Sequence, residues 1–142
     1  KKLNLKDSDV KEYYSLSHQL GIVPKNFNKL QNKLFGVECN YFELNGIDFK
    51  KGCYVGQENT ARIKLKNKLT KRLLPVKVIN GKLYQGDSIF SNEIEIGKIL
   101  IENDFPFALV KYLDNNFDKG SKFKTKEAII NIEKPDWIYN KF

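Results

Sequence analysis

Apolar residues near the start of the chain recur at helical spacing, with Val10, Tyr13, Tyr14, Leu16 and Leu20 set among polar positions. The spacing predicts a helix that Asp7 or Ser8 caps and Gly21 closes, before Gly21-Ile22-Val23-Pro24 breaks it. Lys25 to Leu34 is polar with scattered Asn, and reads as a loop or weak helix. Phe35 to Phe49 carries turn signals at Gly36 and Asn45-Gly46, and its apolar residues are too irregular for a strand. A second helix is expected from about Gly56 to Leu65, where Glu58 and Arg62 fall at i and i+4.

The texture changes after the basic stretch Lys66 to Arg72. Leu74-Pro75-Val76-Lys77-Val78-Ile79 reads as a strand ended by Asn80-Gly81. Ser88-Ile89-Phe90, Ile94 to Ile101, Phe107 to Tyr112 and Ala128 to Ile132 are β-branched, aromatic or alternating. Gly86-Asp87, Ser91-Asn92, Asn115-Asn116 and Lys119-Gly120 punctuate them. Short strands at this spacing predict an antiparallel barrel or sandwich. The expected class is α+β, with a mixed segment over residues 1–67 and a small antiparallel β-barrel domain over 68–142.

The 142 residues suffice for one domain, or for two small ones sharing an interface. With 41% apolar and 30% charged residues, the composition is that of a soluble globular protein. No apolar run reaches the length of a membrane span, and Lys1 to Lys11 does not read as a signal peptide. The expected compartment is the cytoplasm, or a mitochondrion or other organelle in a eukaryote. There is no methionine, even at position 1, so a piece of a longer protein is expected, with functional residues upstream. The net charge of +8 comes almost wholly from Lys, since only Arg62 and Arg72 are Arg. Cys39 and Cys53 do not form a C-x-x-C pair and are expected to be reduced, and His18 is the only histidine. No self-contained metal site is expected.

Chemistry concentrates in Lys51-Gly52-Cys53-Tyr54-Val55-Gly56-Gln57-Glu58. Gly52 and Gly56 permit unusual backbone geometry and a close ligand approach. Cys53 lies beside Lys51 and ahead of the second helix, and both a cation and a helix amino terminus favour thiolate. Tyr54 offers an aromatic face, Gln57 both donates and accepts hydrogen bonds, and Glu58 suits the positive end of the helix dipole.

This octapeptide resembles the K-G-C-Y-x-G-Q-E hallmark of the YgfZ family at every fixed position. Asn59-Thr60-Ala61-Arg62, Leu69-Thr70-Lys71-Arg72 and Leu20-Gly21-Ile22-Val23-Pro24 resemble its flanking elements, the last with Val23 inserted. Ile96-Gly97-Lys98-Ile99, Ala108-Leu109-Val110 and Pro135-Asp136-Trp137 fit its terminal barrel. Lys66-Asn67 departs from the family's Arg-Gly pair, although Asn tolerates a left-handed backbone better than other non-glycine residues.

The resemblance implies a fold similar to the glycine-cleavage T-protein. Residues 1–67 would be the carboxy-terminal part of a mixed α/β folate-binding domain, followed by the barrel. It implies tetrahydrofolate, or a derivative, as ligand, and a role in iron–sulfur cluster assembly or repair. Client or assembly proteins would be the partners, among them a tRNA-modifying enzyme. Glu38 would take the pterin amine and its neighbouring N–H, or else be a solvated loop carboxylate. Tyr54 would pack on the pterin or benzoyl ring, or else sit in the core. Lys51 and Arg62 would meet the glutamate tail; Lys64, Lys66 and Lys68 read better as a solvated face. Gln57 and Glu58 complete the expected folate contacts, unless Glu58 and Arg62 simply pair. Cys53 has three readings: a nucleophilic or redox thiol, an iron–sulfur ligand shared with a partner, or a buried structural thiol. Cys39 is expected to be structural. Whether the protein is an enzyme stays open. An aminomethyltransferase passing a one-carbon unit to tetrahydrofolate is the second reading, although that chemistry needs no cysteine. An RNA-binding module is the third, but the barrel half shows no Arg cluster or aromatics at stacking spacing, so direct nucleic-acid binding is not expected.

Overall fold

In a computed structural model of the chain, residues 7–23, 30, 33–53, 55–65, 69–111 and 120–138 are described. Tyr54, Lys66, Asn67 and Lys68, most of the Lys25–Leu34 stretch and the Asn115-Asn116 turn lie outside them.

Helix α1 runs from Val10 to Gln19. Its cap is Asp9 rather than Asp7 or Ser8: Asp9 is extended and its carboxylate accepts from Lys11 N at 3.1 Å. The Ser8 hydroxyl instead donates to Glu12 at 2.5 Å, one turn on. Gly21 ends the helix as expected. At φ +69 it lets its own N–H reach His18 O at 2.9 Å while Ile22 N reaches Ser17 O at 2.8 Å, the paired bonds of a Schellman ending. The face that α1 buries is polar, with Ser17 and His18 inside and Val10, Tyr13, Leu16 and Leu20 exposed. His18 decides this: its Nε2 donates to Pro106 O at 2.8 Å and its ring meets Phe107 edge-on, 5.0 Å between centroids. Trp137, in the 3₁₀ turn Asp136–Ile138, donates from Nε1 to Leu20 O at 2.9 Å and secures the other end of α1.

Residues 36–45 are turns throughout, in keeping with their irregular pattern, and helix α2 follows at Gln57–Leu65. The remaining elements among the described residues are six strands: β1 (Lys71–Gly81), β2 (Ser88–Ser91), β3 (Ile94–Ile101), β4 (Phe107–Lys111), β5 (Lys122–Lys124) and β6 (Ala128–Ile132). They close an antiparallel barrel in the order β1-β4-β3-β2-β5-β6, so of the two architectures expected, the barrel is the one formed.

β1 is longer than the strand its sequence predicts, because Pro75 does not interrupt it. Lys71–Pro75 pairs with β4 and Val76–Gly81 with β6, so the residue without an N–H stands where the strand changes partners. Irregularities at Val78/Asn80, Ile89/Phe90 and Ile99/Ile101 supply the bends that a small closed barrel needs. β5 is an addition to the expected strands; three residues with a single apolar one, Phe123, give too little pattern to read. Inside, Leu74, Val76, Ile89, Ile99, Val110 and Ile130 form the core. Gly97 allows β3 to approach β4, since a Cβ there would lie 2.5 Å from Leu109 O. A second cluster, on the outer side of β1 and β4, joins Leu73, Ile101 and Phe107 to Leu30 and Cys39.

Candidate functional site

The turn-rich segment before the octapeptide is clasped to the first barrel strand by a buried polar network. Leu73 N donates to Glu38 O at 2.8 Å. Asn40, left-handed at φ +64, donates from Nδ2 to Leu73 O at 2.7 Å and accepts Arg72 Nη1 at 3.1 Å. Arg72 Nη2 then meets Glu43 Oε1 at 2.6 Å, both side chains almost wholly buried. The guanidinium fork can hold an amide and a carboxylate at once, which a Lys ammonium does less well. Sequence reasoning missed this network, although Arg72 is one of two Arg among many Lys and stands in a stretch that resembles a family element.

Glu38 is half-buried in this segment, and its carboxylate accepts Phe35 N at 2.9 Å, closing a local turn. A carboxylate has roughly four acceptor positions, so that bond leaves capacity for a further donor. Cys39 follows it into the core at 1% exposure. Burial pushes the Cys39 thiol up to about 12, with the Glu38 charge adding to the effect. Burial likewise raises the neighbouring Tyr41 phenol, with Cys39 as the second cause. Cys39 is therefore an S–H group at neutral pH, the structural thiol expected.

Beyond it the chain leaves the core. Phe42 and Phe49 stack edge to face, 4.9 Å between centroids, and Lys50 N bonds the Asp48 carboxylate at 2.8 Å. Lys51, Gly52, Cys53, Val55 and Gly56 are all exposed, so the reading of Cys53 as a buried thiol fails. Gly56 needs to be glycine for its φ of +84, and its carbonyl receives the Thr60 N–H at 3.3 Å and the Thr60 hydroxyl at 3.1 Å, starting α2. Among the described residues, a Cβ on Gly52 would meet nothing within 4 Å, so none of them covers the main chain beside Cys53. Gln57 is half-buried in the first turn of α2, with Glu58 exposed beside it. Arg62 is exposed one turn further on. The Tyr54 and Lys64 side chains lie outside the described ones. The octapeptide thus presents an accessible thiol, one cation and a backbone that no described residue covers, on a loop that leads into α2.

The two thiols should separate chemically. In the native protein at pH 8, iodoacetamide is expected to modify Cys53 alone, and Cys39 only after unfolding in denaturant. Peptide mass mapping reads this, and native labelling of Cys39 would contradict its burial.

No family model matches the chain. Among curated proteins it is similar to the tRNA-modifying protein YgfZ of Aliivibrio fischeri (strain MJ11), at 33% identity over 126 residues, covering 82% of the chain and 39% of that protein. It is 37% identical over 70 residues to the mitochondrial iron-sulfur cluster assembly factor IBA57 of Mus musculus, covering 49% of the chain and 20% of that protein. It is 42% identical over 67 residues to the mitochondrial IBA57 homolog of Aspergillus oryzae (strain ATCC 42149 / RIB 40), covering 47% of the chain and 14% of that protein. The chain spans well under half the length of these relatives.

Proposed function

Because the chain belongs to the YgfZ/IBA57 family, as its carboxy-terminal part, we propose that it serves in a tetrahydrofolate-binding protein of iron–sulfur cluster assembly or repair, with Cys53 as the working thiol. The observation that carries this reading is the contrast between the two cysteines, one sealed in the core and the other exposed on the octapeptide loop. The relatives' names supply the process, and those of the IBA57 relatives place them in mitochondria. In a eukaryote the same compartment is proposed for this protein, and in a bacterium the cytoplasm.

A protein-bound iron–sulfur cluster takes about four ligands, mostly thiolates. Among the described residues no group of three or more His, Cys, Asp or Glu is placed to hold a metal ion. Cys53 would therefore contribute one thiolate to a cluster handed to or from a client, or act on the client as a thiol. No described residue covers the backbone at Gly52, where that partner would approach.

The folate would be held by residues already on the loop and its neighbouring turn. Glu38 has acceptor capacity left for a pterin N–H, and the exposed Lys51 and Arg62 carry charge opposite to a glutamate tail. Gln57, Glu58 and Tyr54 are the remaining proposed contacts. Bound tetrahydrofolate supplies one-carbon or reducing chemistry, and this chain's part is to bind and orient it. The boundary between the folate-binding part and the barrel is proposed at residues 67–68.

Calorimetric titration of 5-formyltetrahydrofolate into the full-length protein tests the ligand. Saturable binding is expected, weakened roughly 10- to 100-fold by Glu38→Gln, the ~1.5–3 kcal/mol of a charge-assisted hydrogen bond. Glutamine still offers Phe35 an acceptor, so the turn is kept. Absence of binding to the folded wild type would remove the folate from the proposal.

A further inference from the structure

The barrel register assembles residues that are far apart along the chain. Lys77 of β1 is paired with Asn131 of β6, and Asn131 with Lys122 of β5. The adjacent row runs from Asn80 through Ile129 and Lys124 to Phe90 on β2. Directly opposed residues share a sheet face, and the alternate positions Phe123, Ala128, Ile130 and Ile132 are buried, so both rows face outward. Lys77, Lys122 and Lys124 are exposed, Ile129 is 37% exposed and Phe90 39%. Strands about 4.8 Å apart put Lys77 and Lys122 roughly 10 Å from each other at the backbone.

The second row continues onto β3 at Glu95, which is paired with Phe90 and is the one carboxylate among the described members of the two rows; it lies 3.9 Å from the Lys98 ammonium. Glu133 follows two residues after Asn131, and Glu127 lies in the turn between β5 and β6. Lys98 offsets the Glu95 charge at the β3 edge, and the rest of the face combines three cations, two amides and an aromatic ring on a sheet, in a chain of net charge +8.

We propose that this outer face, formed by Lys77, Lys122, Lys124 and Phe90, is a docking surface for single-stranded RNA. Lysines on a sheet track phosphates, an exposed ring takes a stacked base, and amide side chains hydrogen-bond base edges. A run of acidic side chains in a protein partner would match the lysines but offer Phe90 no flat face. The linear sequence hides the surface because its residues span positions 77 to 131 and no segment holds more than two of its lysines.

Fluorescence anisotropy with a labelled twelve-residue oligouridine, titrated with the full-length protein at several salt concentrations, tests the assignment. Neutralising about three phosphates gives a slope of about −2 in log K against log salt. The combined Lys77→Ala, Lys122→Ala and Lys124→Ala variant is expected to bring that slope close to zero. Phe90→Ala is expected to weaken binding roughly tenfold while leaving the slope unchanged. A control losing the same charge elsewhere, Lys11→Ala with Lys33→Ala and Lys50→Ala, should bind almost as the wild type does. The proposal fails if the control loses as much as the face variant, which would mean diffuse attraction. It fails equally if a labelled polyglutamate peptide binds as tightly as the RNA and Phe90→Ala changes neither, which would point to an acidic protein partner.

Discussion

Arg72→Ala is expected to destabilise the protein by about 3–5 kcal/mol, the cost of breaking a buried ion pair from one side. The substitution leaves the Glu43 carboxylate inside without its guanidinium at 2.6 Å, and takes from Asn40 Oδ1 the donor at 3.1 Å. It also cuts the side-chain link between the turns before the octapeptide and β1, leaving Asn40 Nδ2 on Leu73 O and Leu73 N on Glu38 O. Domains of ordinary stability hold only about 5–15 kcal/mol, so the loss is a large fraction of the total. Urea unfolding followed by far-ultraviolet circular dichroism measures it, as a fall in midpoint at nearly constant slope. Arg72→Lys should lie between the two, because a single ammonium replaces the fork that reaches Glu43 and Asn40 together. Arg72→Met combined with Glu43→Leu should recover most of the loss, since a buried pair exchanged for apolar residues of similar volume is often near neutral. An Arg72→Ala protein as stable as the wild type would mean that the guanidinium contributes nothing, and that the turn segment is held by the Leu73 backbone bonds to Asn40 and Glu38 and by packing around Leu30, Cys39 and Leu73.

What could be read from the sequence follows the range of the interactions concerned. Both helices were legible because their signals are local: periodic apolar residues, a polar cap and a terminal glycine for α1, and the i, i+4 spacing of Glu58 and Arg62 for α2. Even so, the cap moved from Asp7 or Ser8 to Asp9, because Ser8 bonds Glu12 and Asp9 is the residue whose carboxylate reaches Lys11 N. The apolar stripe of α1 correctly gave a helix but not its buried face, which one bond from His18 to a carbonyl 88 residues away decides. Five strands were legible from branched and aromatic runs. β5 was not, and neither the barrel order nor the change of partner at Pro75 has a local signature. The Arg72 network is long-range in the same sense, joining residues 32 apart. At the site, the octapeptide was legible through its resemblance, whereas the exposure of one thiol and the burial of the other depend on which turns dock against β1.

The second large effect is expected at Cys53. In cells lacking the native protein, the full-length wild type should restore the activity of iron–sulfur enzymes, and Cys53→Ala should not. The side chain is exposed, so its removal should change folding stability by no more than about 0.5 kcal/mol. Cys39→Ala should behave in the opposite way: a loss of about 0.5–3 kcal/mol from an imperfectly filled core, with function kept by whatever fraction stays folded. Cys53→Ser decides the chemistry. A serine hydroxyl keeps the size and the hydrogen bonding but is neither a thiolate nucleophile nor a soft ligand for iron. If Cys53→Ser fails like Cys53→Ala while both still bind 5-formyltetrahydrofolate, the thiol itself does the work and folate binding is separate from it. If Cys53→Ser restores the enzymes, Cys53 is only a small polar residue in the loop, and the functional burden moves to Gly52, Gln57 and the backbone between them.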